Sequence, residues 1–435
     1  MADNIRREIA DIEGTDVATS PTESPALEAQ MGSAVSGSSG QMTAVPGILP
    51  DGAGEPQNGN GGQSRADRNA GRQLTGRAAM LSLPSQSMTP TQLTWRKFKK
   101  NKIAIGGGLL LIIFYTLALF AQFLAPYAYD SQDPAANFRP PMHVHWTPAP
   151  TVYSMTQSFD EFHDRVYVED KTQPHSIKFF VHGPAYRFWG AVPSTLHLYG
   201  AAGGQRVYLL GTDQFGRDYL SRLLYASQIS LSVGLLGIAI TFTLGMLVGG
   251  ISGFYGGRTD DIIMRICEII MSVPGFYLLL ALAATLPPTL SPVTVYLLII
   301  VILSFVGWAG MARIIRGMVL SVREREYVEA ARALGVSDLK IVTRHIIPST
   351  FTFAIVAATL SIPAYILGEA ALSFLSLGIR DPMPSWGNML SAAQDLTTLQ
   401  QRLWLLTPGL MIFLTTLAFN FLGDGLRDAL DPKSR

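Results

Sequence analysis

The stretch SQISLSVGLLGIAITFTLGMLVGGISGFY at residues 227–255 contains no charged side chain. A helix needs about 20 apolar residues to cross a hydrocarbon core that is about 30 Å thick, so this run predicts a transmembrane helix. Its glycines are of the kind that let neighbouring helices approach closely. The stretch therefore places the chain among helical membrane proteins.

The composition of the 435-residue chain agrees with that class. Hydrophobic residues make up 48% of it and charged residues only 15%, which is unusual for a soluble protein. The formal net charge of +1 shows no basic excess. The composition thus argues against a nucleic-acid partner and makes the lipid bilayer the expected surrounding.

Other uncharged segments bring the predicted number of spans to six. Residues 269–312 are too long for one crossing, and Pro287 and Pro288 divide them into two spans joined by a tight turn. Residues 349–379 form another span, with Glu369 as their only charged residue. The first and last spans are residues 103–125 and 403–423. The predicted fold class is an all-α membrane protein with six transmembrane helices.

Lysine and arginine residues near the spans predict their orientation. Five of them lie within residues 96–102, directly before the first span, and basic residues are enriched on the cytoplasmic side of membrane proteins. With six crossings, the loop between spans four and five lies on the same side. That loop holds seven more basic residues: Arg313, Arg316, Arg323, Arg325, Arg332, Lys340 and Arg344. Both termini are therefore predicted to be cytoplasmic.

Composition also divides the chain into domains. Residues 1–94 contain no Phe, Trp or Tyr, which predicts a disordered cytoplasmic tail. Residues 95–125 join a basic segment to the first transmembrane helix, and residues 126–215 are predicted to form an extracytoplasmic insert between helices one and two. The remaining parts are a five-helix core at residues 216–425, with a cytoplasmic coupling loop at residues 313–348, and a cytoplasmic C-terminus at residues 426–435.

The coupling loop contains the segment EAARALGVSDLKIVTRHIIP at residues 329–348. A stripe of mostly small side chains recurs at helical spacing just before and within it: Tyr327, Ala330, Ala331 and Leu334. Gly335 is placed to end this helix in a left-handed conformation. Ser337 then suits an N-cap and Asp338 the first turn of a second helix. The pattern predicts a helix-turn-helix that fits a groove on a soluble partner, or an amphipathic helix resting in the lipid headgroups.

The order Glu329, Ala330, Ala331, three residues and Gly335 resembles the EAA motif of ABC importer permeases. The resemblance implies the type I ABC importer permease fold and a helix seated in a cleft of a cytoplasmic ATPase. It implies ATPase-coupling roles for the residues of the segment: Tyr327, Glu329, Ala330, Ala331, Leu334, Gly335, Ser337 and Asp338. It also implies a location in the bacterial inner membrane.

Three further segments are similar to the dipeptide and oligopeptide branch of that family. They are LGTDQFGRDYLSRLLY at residues 210–225, YGGRTDDIIMR at residues 255–265 and LRDALDP at residues 426–432. The branch implies a sister permease in a heterodimer, one or two cytoplasmic ATPase subunits and an extracytoplasmic solute-binding protein. It implies a peptide substrate, while nickel and oligosaccharide transporters of the same branch stay open. The long tail and the large loop after span one depart from the family pattern.

Nothing in the sequence predicts an enzyme. The chain lacks the GxxxxGK[ST] phosphate loop and has no Gly-Lys pair, so ATP hydrolysis is expected in a partner. No catalytic residue, cofactor or metal site is predicted, because satisfied or solvated histidines are more common than metal ligands. Glu369 either lines the translocation pathway or forms a hydrogen-bonded brace between helices. A membrane receptor or assembly scaffold is the alternative from another functional class.

Overall fold

The computed structural model describes residues 89–146, 149–159, 165–188, 190–201 and 205–431. Most of the predicted disordered tail, residues 1–88, lies outside these ranges. The tail was predicted to continue to Thr94, but a helix, α1, begins at Pro90. Thr89 caps this helix in a reciprocal pair of hydrogen bonds with Gln92, which explains why ordered structure begins before residue 94.

Helices make up the larger part of the described residues. They are α1 (Pro90–Phe98), α2 (Lys102–Leu119), α3 (Ala121–Leu124), α4 (Tyr219–Tyr255), α5 (Gly257–Ser272), α6 (Gly275–Ala284), α7 (Pro292–Arg323), α8 (Glu326–Ala333), α9 (Asp338–Ile341), α10 (Ile347–Phe374), α11 (Trp386–Leu390), α12 (Leu396–Gln401) and α13 (Thr407–Leu430). A π-helical turn, Val342–Ile346, joins α9 to α10. In the core, α4 packs against α7 and α10, and α13 packs against α2 and α10.

Among the described residues, the six predicted spans correspond to five long apolar helical segments and one bent pair. The five contain α2, α4, α7, α10 and α13, and the pair is α5 and α6, which meet at an angle of 80°. The helical membrane fold is thereby confirmed. The predicted start of span three at residue 269 was wrong. Residues 269–272 are the last residues of α5, and a break at residues 273–274 separates α5 from α6. Pro274 causes this break, since proline disfavours helical geometry in the preceding residue.

Close packing of α4 on α7 depends on glycines spaced four residues apart. Gly245, Gly249 and Gly253 all face α7, and a Cβ atom on Gly249 would lie 2.4 Å from the carbonyl oxygen of Ala312. Small residues at this spacing let two helix backbones approach each other inside a membrane. The glycines noted in the sequence thus form the contact surface between two spans.

Gly249→Ala is expected to destabilise the protein, because overpacking of this kind typically costs about 1–3 kcal/mol. Gly250→Ala is the matched control, since a Cβ atom there meets nothing within 4 Å and alanine is the better helix former. Thermal unfolding in detergent measures both. We expect a lower melting temperature for the first variant only, and equal melting temperatures would contradict the close approach.

The predicted insert contains a four-stranded antiparallel sheet. Its strands are β1 (His145–Trp146), β2 (Pro150–Phe159), β3 (Arg165–Phe188) and β4 (Val192–Ala201), and they pair in chain order. In the register, Thr151 lies opposite Ser176 and Ile177 opposite Ala201, with irregularities at Tyr153/Ser154 and between His182 and Tyr186. The all-α description therefore holds for the membrane part and does not extend to the insert, where β-branched and aromatic residues such as Val152, Tyr153 and Thr156 favour strands.

Candidate functional site

The end of α8 has the geometry predicted for residue 335. Gly335 has φ = +73°, in the left-handed region. Its N–H donates to the carbonyl oxygen of Arg332 (3.0 Å), and the N–H of Val336 donates to that of Ala331 (3.2 Å). This pair of bonds is a Schellman motif, which ends a helix and turns the chain sharply. The structure therefore places a tight turn where the sequence indicates one.

The stripe predicted on α8 is divided between two faces. Tyr327, Ala330 and Leu334 are exposed, whereas Ala331 is buried together with Val328. Both buried residues belong to the same apolar cluster as the α9 and π-turn side chains Ile341, Val342 and Ile346. Ala331 thus holds α8 against the rest of the protein, and it does not share the exposed surface with its neighbours.

The second half of the turn presents a leucine that the sequence pattern did not single out. Ser337 occupies the N-cap position of α9, although its hydroxyl makes no capping bond, and Asp338 is the first residue of the helix. Leu339 follows and is 72% exposed, while Leu334 on the other side of Gly335 is 83% exposed. Two large apolar side chains therefore flank the turn at its outermost point.

Polar contacts attach the base of the coupling loop to two other helices, α4 and α5. Asp260 of α5 receives two hydrogen bonds from the guanidinium of Arg316 in α7, and Ser252 of α4 donates a third. The Arg323 guanidinium donates to the carbonyl oxygen of Gly253 (3.1 Å). Arg332 lies over the ring of Phe254 at 5.5 Å. Bidentate bonds between arginine and a carboxylate are geometrically specific, so the Arg316–Asp260 pair fixes α5 against α7, and Arg332 adds a contact between α8 and α4.

Glu369 lies in the middle of a polar cluster inside the helix bundle and is fully buried. The hydroxyls of Ser230 (3.1 Å) and Ser373 (2.7 Å) donate to its two carboxyl oxygens. Each hydroxyl in turn accepts a backbone N–H, Ser230 from Trp386 and Ser373 from Ile379. These bonds join α4, α10 and α11, as expected for a hydrogen-bonded brace between helices. The carboxylate has no exposed surface in the single chain.

A second charged cluster lies at the other end of α4. Asp213 accepts a hydrogen bond from Arg217 (2.6 Å), and Asp381, in the segment between α10 and α11, accepts from Arg217 (3.1 Å) and Arg222 (2.9 Å). Both arginine side chains are buried. The cluster connects the residues before α4 to a segment more than a hundred residues away. Asp213 and Arg217 both belong to the sequence motif GTDQFGRD at residues 211–218. No local signal predicts Asp381 as the partner.

The stability conferred by this cluster is expected to decrease in acid. Burial alone would raise the pKa of Asp381, but the charges and hydrogen bonds of Arg222 and Arg217 outweigh it and hold the pKa below its usual range. The contribution is therefore complete above the unfolded pKa of about 4 and is lost as pH falls through the lower folded value. Melting temperatures measured from about pH 6 down to about pH 3 test the effect, because this range passes through the usual pKa of an aspartate.

Asp381→Asn is the comparison for that titration. The variant keeps the side-chain shape and removes the ionisable group, so its melting temperature is expected to fall less steeply with acid than that of the natural protein. Parallel curves for the two proteins would show that Asp381 does not contribute to the acid sensitivity.

Comparison with known proteins identifies two matching family profiles. One, described as binding-protein-dependent transport system inner membrane component, matches residues 243–435. The other, described as the N-terminal TM domain of oligopeptide transport permease C, matches residues 89–141. The coupling loop and Glu369 lie within the first match, and the four-stranded sheet lies between the two.

Curated relatives cover most of the chain. It is 34% identical over 356 residues to the dipeptide transport system permease protein DppC of Bacillus subtilis, which is 81% of this chain and 89% of that protein. It is 44% identical over 231 residues to the oligopeptide transport system permease protein OppC of Haemophilus influenzae, which covers 52% of this chain and 71% of that protein. It is 33% identical over 362 residues to the glutathione transport system permease protein GsiD of Escherichia coli, covering 83% and 97%.

Proposed function

The chain belongs to the family of inner-membrane permeases of binding-protein-dependent ABC importers, in its peptide-permease branch, and we propose that it carries dipeptides or oligopeptides while docking on a cytoplasmic ATPase through residues 326–341. Such a permease is a multi-pass inner-membrane protein and is not itself an enzyme. ATP hydrolysis then takes place in the partner, and the permease converts movement at the docking site into movement of its spans.

The exposed pair Leu334 and Leu339 carries the docking proposal. Each exposes most of its side chain, and a Schellman turn holds the two on either side of Gly335. Charged side chains of both signs surround them and are exposed as well: Glu329, Arg332, Asp338 and Lys340. Two leucines beside charged side chains of both signs contribute little to membrane insertion but suit a groove on a protein, so this arrangement supports the ATPase over the lipid headgroups.

The route from the docking site to the pathway runs through continuous chain. On one side α8 follows α7 after two residues, and on the other the π turn Val342–Ile346 leads directly into α10. π turns occur frequently at functional sites. Displacement of α8 would therefore act on two spans at once, while the bonds of Asp260 to Arg316 and Ser252 carry it to α4 and α5.

The remaining assignments of the proposal follow from the family and the charge pattern. A sister permease would complete the pathway as a heterodimer, with one or two ATPase subunits inside and a solute-binding protein outside. The basic segment before α2 and the basic coupling loop favour cytoplasmic termini. The sheet of the insert would then lie on the extracytoplasmic side. Glu369 is assigned to bracing the pathway helices from within.

Leu334→Asp combined with Leu339→Asp is expected to abolish ATPase copurification in mild detergent. Burial of a leucine at an interface is worth about 1.5–3 kcal/mol, so each loss weakens binding about ten- to a hundredfold. Leu396→Asp is the matched control, because this leucine is similarly exposed but lies in α12, outside the coupling loop.

Retention of the ATPase by the double variant would count against docking through the turn. Failure of the natural protein to recover any ATPase would instead favour a receptor or scaffold.

Uptake of a radiolabelled dipeptide into cells that carry the transporter tests the substrate. Competition by unlabelled di- and oligopeptides, with none by nickel or oligosaccharides, is the expected result.

A further inference from the structure

The position of α2 in the membrane sets the depth of part of the sheet. The 18 residues of α2 span about 27 Å at 1.5 Å per residue, close to the thickness of a hydrocarbon core of about 30 Å. Because α2 begins at Lys102, directly after the basic segment, its last residues reach the opposite membrane interface. Phe120 and Phe123, which follow, lie at that interface.

Aromatic contacts bring β3 to the same depth. The ring of Phe188 lies 5.7 Å from that of Phe120, and the ring of Phe180 lies 6.2 Å from that of Phe123, measured between centroids. Phe179 is 56% exposed and Phe180 is 64% exposed. The surroundings of exposed side chains at this level are lipid headgroups and the upper acyl chains, not bulk water.

Backbone strain at Phe180 supports a specific role for its position. Phe180 has φ = +54°, a left-handed conformation that is a genuine outlier for a bulky residue. Such conformations cost about 1–3 kcal/mol and persist only where the surrounding structure enforces them. Consecutive residues of a β-strand ordinarily point to opposite faces, and the rings of Phe179 and Phe180 are both exposed.

We propose that Phe179 and Phe180 insert into the headgroup and acyl boundary of the leaflet at the C-terminal end of α2 and anchor the sheet to the membrane. The exposed cations Lys178 and Arg187 lie near them in sequence on the same strand and suit the phosphates of that interface. Contacts with Phe120 and Phe123 make this apolar surface continuous with the end of α2, where Leu119 and Phe120 are exposed. That continuity favours lipid over a soluble protein as the occupant.

A nitroxide attached at residue 180 tests the proposal in the full-length chain, purified with its copurifying subunits. Cys267 is the only cysteine, so Cys267→Ala supplies the background for Phe180→Cys. The protein is placed in vesicles of phosphatidylethanolamine and phosphatidylglycerol. Collisions with oxygen, which concentrates in the bilayer, are compared with collisions with a water-soluble nickel chelate. Ile112→Cys on α2 is the lipid reference and Lys171→Cys on β3 the water reference.

The oxygen-to-nickel collision ratio at residue 180 is expected to be several-fold higher than at residue 171 and to approach that at residue 112. A ratio equal to that at residue 171 overturns the proposal. Low collision rates with both reagents also overturn it, because they indicate a protein partner over the two rings. If the strained position does not tolerate cysteine, Phe179→Cys provides the same measurement on the neighbouring residue.

Discussion

Gly335→Val is expected to abolish substrate uptake while the ATPase of the assembled transporter continues to hydrolyse ATP. The left-handed conformation at φ = +73° costs residues with a Cβ atom about 1–2 kcal/mol, and a β-branched residue suits it least. Relief of that strain would open the Schellman turn and move Leu334 relative to Leu339. Uptake of a labelled dipeptide into proteoliposomes, measured beside phosphate release, separates transport from hydrolysis.

Gly335→Asn is the control for this prediction, because asparagine tolerates the left-handed conformation better than other residues with a side chain. It is expected to retain most of the uptake. A Cβ atom at residue 335 meets nothing within 4 Å, so steric clash cannot account for a difference between the two variants. Normal uptake by the valine variant would remove the coupling role assigned to the turn.

Glu369→Ala is expected to cause the largest loss of stability among these variants. The change leaves a cavity and deprives the buried hydroxyls of Ser230 and Ser373 of their acceptor. Large-to-small changes and unsatisfied buried groups each cost a few kcal/mol, so a total of about 3–5 kcal/mol is expected. The yield of monodisperse protein in detergent and its melting temperature measure the effect.

Glu369→Gln separates the two roles considered for this residue. Glutamine keeps the volume and one acceptor oxygen, so a bracing role predicts near-normal folding and uptake. A pathway role that needs the carboxylate predicts normal folding with impaired uptake. A glutamine variant that folds and transports normally, beside an alanine variant that does not fold, would support the brace.

The candidate site was predictable from the sequence only where local chemistry determines it. The positive φ of Gly335 follows from its place after a helical stripe, since glycine adopts that conformation without a steric penalty. The partners of buried charges could not be predicted in the same way. Ser230 is 139 residues from Glu369, Arg316 is 56 residues from Asp260, and Arg222 is 159 residues from Asp381. Neither spacing nor composition links residues so far apart.

The sequence by itself determined that the chain spans a membrane and has a helix-turn-helix within residues 329–348, because span length, charge distribution and helix-ending signals act over a few neighbouring residues. Tertiary structure alone decided that Ala331 faces inward and Leu339 outward, that α5 and α6 meet at 80°, and that a sheet contacts the end of α3. The physical reason is that each of these features depends on packing between segments far apart in the chain, and within the membrane lipid-facing and protein-facing side chains are equally apolar.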